Sequence, residues 1–333
     1  MQRDYGLIAN PYARGGRKQL GPIERLAKKK YRDTVSYHAT NEISEISGTL
    51  IKLINQRKIK ILFIFGGDGT IHKVIDILIY ELLRGNIDRL PLILPIGGGT
   101  MEAVFQWLGW DDKPINIFRK GLEIDIDKIP IRKLRPLKIT FWNADTDRLE
   151  SHYGFFFIIG AVNRVIQLYD RQGKSVIGGI KHIVQGATAA LTGLPPTHKH
   201  LLHQFDAKIF ANGKILPQNK PLSIICSVCD SLLFGDKFYG IKPYAGRAES
   251  NQFYCMCYSL PAWIPVAVLP FVMKGILVPK TDFTLNQPLF LLEATTKKED
   301  SIFIDGDFYK IKPGETIKVE PGPEIEMGSF FDK

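Results

Sequence analysis

Residues 60–65, Lys-Ile-Leu-Phe-Ile-Phe, run almost without a polar break into Gly66-Gly67-Asp68-Gly69-Thr70, and a helical pattern follows at once. A strand that is apolar along its whole length has both faces covered, the condition of a parallel sheet between helices. Glycines allow the chain to turn tightly and let the backbone approach a bound group. The helix behind them points its first N–H groups and its positive dipole end at the same place. Strand, glycine loop and helix in that order suit a phosphate. The pentapeptide alone is also compatible with a plain Gly-Asp-Gly turn.

The surroundings extend the pattern. Strand signals at 5–9, 34–38 and 90–95 alternate with helical spacing at 19–30, 42–56 and 71–83. Such alternation predicts an α/β domain with a parallel sheet over residues 1–128, of nucleotide-binding type. Near 125–130 the pattern changes to short strands, at 137–142, 155–159, 206–210, 222–228, 252–258 and 290–294, with one helical insertion at 177–191. That pattern predicts a β-sandwich-like second domain over 129–314, with a tail at 315–333 that returns to the first domain.

Two further loops resemble the first. Pro95-Ile96-Gly97-Gly98-Gly99-Thr100-Met101-Glu102 again follows a buried strand and precedes a helix. Asn10-Pro11-Tyr12-Ala13-Arg14-Gly15-Gly16-Arg17-Lys18 follows the first strand and adds basic side chains. Loops at the carboxyl ends of strands in one sheet converge on a crevice, the usual ligand site of open α/β sheets. Taken alone, the last of them is equally a solvated turn.

Taken together, these motifs resemble the catalytic domain shared by diacylglycerol kinases, sphingosine kinases and their bacterial soluble relatives. The resemblance implies an ATP- and Mg²⁺-dependent kinase that phosphorylates a lipid hydroxyl. Asn10, Pro11, Tyr12, Ala13, Arg14 and Thr40 match positions that engage ATP, and Gly66, Gly67, Asp68, Gly69, Thr70, Ile71 and His72 match the nucleotide loop. Thr100 and Glu102 fall in the third motif. Asp125 matches an active-site aspartate, and Asp307, in Asp305-Gly306-Asp307, takes the place of the general base. A carboxylate there suits the chemistry, since an attacking alcohol must lose a proton.

Departures from the family pattern are concrete. Glu102 stands where the family has Asn, Asp307 is one methylene shorter than the family's Glu, and 248–253 lacks the aspartates of a structural-metal run. No metal site is carried over on that ground. A catalytically degenerate nucleotide- or lipid-binding protein is one alternative. An NAD kinase, which shares Gly-Gly-Asp-Gly but continues to an Asn-Glu motif missing here, is the other.

Composition constrains the partners. The formal charge of +10 favours anions, here ATP and an anionic membrane surface rather than nucleic acid, for which no binding signature is present. The first eight residues are too short an apolar run for a signal peptide, so the expected place is the cytoplasm, with peripheral contact at the inner membrane leaflet. Residues 260–278 are apolar but broken by Pro261, Pro265 and Pro270, which suits core or an interfacial segment and not a spanning helix. Cys226, Cys229, Cys255 and Cys257 sit in apolar strand-like runs, where cysteine packs as a small hydrophobe. The histidines at 198, 200 and 203 read as a solvated loop, and Lys28-Lys29-Lys30 as a solvated helix end.

Overall fold

The computed structural model describes residues 5–13, 17–40, 42–98, 103–109, 112–171, 201–217, 219–229, 248–259, 284–298 and 301–329. The helical insertion at 177–191, the apolar segment 260–278, the histidines at 198 and 200, and Arg14, Thr100 and Glu102 lie outside the described residues. The chain forms two compact units, Met1–Pro136 with Pro323–Lys333, and Leu137–Gly322.

In the first unit, strands β1 (Tyr5–Ala9), β2 (Val35–Ala39), β3 (Ile61–Gly66) and β4 (Leu92–Gly98) alternate with helices α1 (Arg17–Arg25), α2 (Ser44–Ile51) and α3 (Asp68–Leu83). Helices α4 (Ala103–Trp107) and α5 (Pro114–Glu123) and strand β5 (Ile131–Leu134) follow. The sheet is completed by the C-terminal strand, Ile325–Gly328, which takes its place between β4 and β5. The sheet order is β2-β1-β3-β4, then the C-terminal strand, then β5. All neighbours are parallel except β5. Every residue of β3 and β4 is buried, as both-face coverage requires. Ile71, Val74, Ile75, Leu78 and Ile79 give α3 a buried face at helical spacing. Gly121 lets α5 close on the sheet, since a Cβ there would stand 2.7 Å from the Phe63 ring.

Two boundaries differ from the sequence expectation. Helix α3 begins at Asp68, so Asp68, Gly69 and Thr70 form its first turn and do not lie in a preceding loop. Strand β4 runs on to Gly98 because it carries an extra residue opposite β3: Ile64 pairs with Pro95, and Gly66 with Gly98. The irregularity needs positive φ at Gly97 (79°) and Gly98 (131°), which only glycine adopts cheaply.

The second unit begins with β6 (Leu137–Asn143), β7 (Arg148–Gly154), β8 (Phe156–Gly160) and α6 (Ala161–Arg171). Next come β9 (Ala207–Ala211), β10 (Lys214–Ile215), β11 (Ser223–Ser227), β12 (Phe253–Tyr258) and β13 (Thr284–Leu289). It ends with β14 (Leu292–Thr296), β15 (Ser301–Ile304), β16 (Asp307–Lys310) and β17 (Thr316–Pro321). The C-terminal strand is therefore β18. These strands make two six-stranded antiparallel sheets, β10-β9-β14-β17-β6-β7 and β13-β12-β11-β8-β15-β16. One apolar cluster joins the two, with Ile139, Phe141 and Val319 from the first sheet against Phe157, Ile224 and Ile302 from the second. Cys226, Cys255 and Cys257 belong to this core, and Cys229 is also buried. The hydrogen bond of the neutral Cys255 thiol to Cys226 and then burial push that thiol well above its ordinary value. Among the described residues no helix is long and apolar enough to cross a membrane.

Candidate functional site

The site predicted from the glycine loops falls where the sheet changes direction. Strands β1 and β3 are neighbours, but the chain leaves β1 for β2 on one side and β3 for β4 on the other. The carboxyl ends on either side of such a switch point bound a crevice. Asn10, the first residue after β1, spans it. Its backbone N–H donates to the Phe65 carbonyl (2.9 Å) and its Nδ2 to Thr70 Oγ1 (2.9 Å). Its Oδ1 accepts from the Tyr12 N–H at 2.9 Å, closing an Asx turn over Pro11. Ala13 N–H returns to the Asn10 carbonyl, and the Tyr12 ring is exposed.

Thr40 ends β2 in the same row. Its N–H and Oγ1 both donate to the Ala9 carbonyl, at 3.0 and 3.4 Å. Gly66 serves packing in a way its motif does not reveal. A Cβ at this position would stand 2.5 Å from Thr70 Cβ and Oγ1, so the absent side chain lets Thr70 fold back toward Asn10. Gly67 is the N-cap of α3, and its carbonyl accepts from the N–H groups of Thr70 (2.9 Å) and Ile71 (3.1 Å). The amides ahead of them precede the helix's own ladder and suit an anion. Asp68 places a hard oxygen donor in that first turn, a fit for a Mg²⁺ ion carried by phosphates. Ile71 and His72 are fully buried behind it. Gly98 brings β4 within 3.0 Å of the Phe65 ring, as measured to an added Cβ.

Helix α4, which follows the third motif in sequence, is held at its far end. Arg132 of β5 donates through Nη1 to the Trp107 carbonyl at 2.7 Å, and its guanidinium lies 3.8 Å from the Trp107 ring centroid. Ser329, just past β18, donates from Oγ to the Leu108 carbonyl at 2.9 Å. Asp125 stands apart from this constellation in character. It is exposed, precedes a short 3-10 turn at Ile126–Lys128, and pairs with Lys128 at 2.9 Å.

Asp307 belongs to the second unit and opens β16 immediately after a two-residue turn. Asp305 (φ 46°) and Gly306 (φ 108°) form that turn, the Asp-Gly hairpin connection with positive φ at both positions. Asp305 is only 3% exposed, and its two oxygens accept from the N–H groups of Phe155 (2.6 Å) and Phe156 (2.7 Å). The turn next to Asp307 is thereby tied to the start of β8. Asp305 is a residue that motif reading passes over. The Asp-Gly pair signals the turn, but partners 150 positions earlier in the chain are not visible in the sequence. Residues 248–252, where the metal-run aspartates are missing, form a turn closed by Gln252 N–H on the Glu249 carbonyl (3.0 Å) and Glu249 N–H on Gln252 Oε1 (3.1 Å).

A parallel sheet with glycines at the strand ends of its switch point, followed by an antiparallel sandwich, defines a two-unit α/β protein. Residues 4–133 match the diacylglycerol kinase catalytic domain. A diacylglycerol kinase structure from Bacillus anthracis str. Sterne superposes with a TM-score of 0.62 at 13% identity, covering 98% of this chain and 97% of that one. Yeast NADH kinase, solved with NADH, superposes with a TM-score of 0.53 at 11% identity, covering 99% of this chain and 84% of that one. No curated protein sequence matches the chain.

Proposed function

We propose that the protein transfers the γ-phosphoryl group of ATP to the hydroxyl of a lipid, a diacylglycerol, sphingoid base or related acceptor, at an anionic membrane surface on the cytoplasmic side. The observation that carries this reading is Asn10, which ties the first loop to the β3 carboxyl end and to the first turn of α3. That arrangement presents helix N–H groups, an Asp68 carboxylate and three loop ends to one ligand, as a nucleotide polyphosphate requires. Arg14, Thr100 and Glu102 complete the proposed nucleotide contacts, and Asp125 a second catalytic carboxylate. The +10 charge supports the anionic surface.

The chemistry assigned to the chain is modest. Mg²⁺, when bound with ATP, offsets negative charge on the phosphates, and Asp68 would hold it. The first amides of α3 orient the phosphates and stabilise charge as it develops. Asp307 accepts the hydroxyl proton while the lipid oxygen bonds to the γ-phosphorus and the bond to the ADP oxygen breaks.

Radiolabelled ATP with Mg²⁺ and mixed vesicles holding diacylglycerol, sphingosine, ceramide or phosphatidylglycerol tests this directly. Label should enter the lipid phase for one of these acceptors. Label on NAD or NADH would transfer the reading to the nucleotide-kinase relative. Nucleotide binding with no labelled product from any acceptor would leave a binding protein.

A further inference from the structure

Strand β16, which carries Asp307, is the last strand of its sheet, and β7 is the last strand of the other. In register, Ile304 faces Asp307 and Ile302 faces Tyr309, and both isoleucines belong to the sandwich core. Directly paired residues share a face, so Asp307 and Tyr309 stand on the core side of β16 at the sandwich edge. Across from them, Ile139 pairs with His152 and Phe141 with Glu150, which turns His152 and Glu150 to the core side of β7. The three rings meet: His152 lies 4.5 Å from Tyr309 and 5.8 Å from Phe141, and Phe141 lies 5.6 Å from Tyr309.

The β6–β7 hairpin holds the far end of β16 as well. Ala144 N–H donates to the Lys310 carbonyl (3.1 Å) and Lys312 N–H to the Trp142 carbonyl (3.0 Å). Lys310 pairs with Asp145 and Lys312 with Asp147, but these pairs are exposed and contribute little. The firm contacts are the backbone bonds and the rings. His152 is itself held. Its Nε2 lies 3.4 Å from Glu150 Oε2, and Glu150 accepts from Asn143 Nδ2 (2.8 Å) and Thr146 Oγ1 (2.5 Å). Inward-pointing polar groups on an edge strand also discourage edge-to-edge pairing. That purpose does not require a ring packed against the residue two positions from Asp307.

We infer that His152, through its ring contact with Tyr309, is a positioning residue for the Asp307 carboxylate, an inference that rests on the kinase reading above. The Asp305 turn fixes one end of β16, and the His152–Tyr309 contact with the hairpin fixes the other. A base displaced by about 1 Å loses on the order of a hundredfold in rate, so a partial loosening falls below that.

The experiment compares His152→Ala, His152→Phe and Asp307→Asn for kcat, KM for ATP and local amide exchange. His152→Ala should lower kcat about tenfold with KM for ATP unchanged, and speed exchange at the Ala144 and Lys312 amides. His152→Phe keeps a ring against Tyr309 and should restore both. Wild-type kcat and exchange in His152→Ala overturn the inference, as does a Phe variant no better than Ala. Equal loss of kcat and ATP affinity also overturns it, because it marks general damage. If Asp307→Asn itself keeps full turnover, the kinase reading falls and this inference with it. If Asp307→Asn is impaired while His152→Ala is not, this inference alone falls.

Discussion

The two units solve the same packing problem in opposite ways, and the difference governs where each keeps its chemistry. The first buries both faces of β3 and β4, so its functional groups collect at the strand ends, on loops a few residues long. In the second, β6 buries one face only while β8 and β11 of the other sheet are buried throughout, and its candidate base starts an edge strand. In the first unit each loop follows its own strand directly, and Asn10 and Thr40 tie the strand ends together. In the second the site depends on pairing between distant segments.

The largest expected effect separates the two. Asp307→Asn should reduce kcat by about a hundred- to ten-thousand-fold while leaving ATP affinity nearly unchanged, because it removes a proton acceptor and no nucleotide contact. Steady-state kinetics with both substrates varied checks it. A loss of ATP affinity instead would place Asp307 with the first unit's chemistry and erase the contrast.

Next comes the core. Phe157→Ala removes a fully buried ring from the sandwich and should destabilise the second unit by about 3–5 kcal/mol. Because the nucleotide loops belong to the first unit, ATP binding should survive in conditions where the second unit has loosened. Nucleotide titration alongside urea unfolding tests that independence.

A smaller effect probes the switch point. Asn10→Ala removes the side-chain bond to Thr70, worth about 0.5–1.5 kcal/mol net, so ATP affinity should weaken by about two- to tenfold. Isothermal titration reads it, and unchanged affinity would remove Asn10 from the site. The smallest is a matter of pH. Burial pushes the Glu150 carboxyl up, but hydrogen bonds from Thr146, Asn143 and His152 outweigh it, and the net shift is downward. A carboxyl lowered by folding contributes stability above its ordinary value and loses it as pH falls through the folded value. The urea midpoint should therefore drop less between pH 7 and pH 3 in Glu150→Gln than in the wild type.

The same contrast explains what the sequence discloses. The motif around Gly66 and the switch-point topology follow from apolar runs and glycine spacing, both local signals. Even so, Gly66 turns out to accommodate Thr70, a contact that only coordinates reveal. Helix α5 escaped the pattern because Gly121 and Pro114 obscure its periodicity, and α6 because it starts directly where β8 ends. The support around Asp307 is harder still. Asp305 meets Phe155 across 150 positions, and His152 meets Tyr309 across a similar span, and no local spacing encodes such meetings.

The strand β18 has a consequence for the order of events during synthesis. It separates β4 from β5, and among the described residues β5 pairs with no other strand. When the ribosome has made the first 136 residues, β4 is therefore an open edge and β5 has no neighbour. Nearly two hundred further residues must emerge before residues 325–328 fill the gap. Throughout that interval the nascent sheet exposes one open edge of an apolar strand, the surface most open to wrong pairing. Completion of the first unit's sheet thus waits for residues 325–328, although most of that unit's sequence comes much earlier.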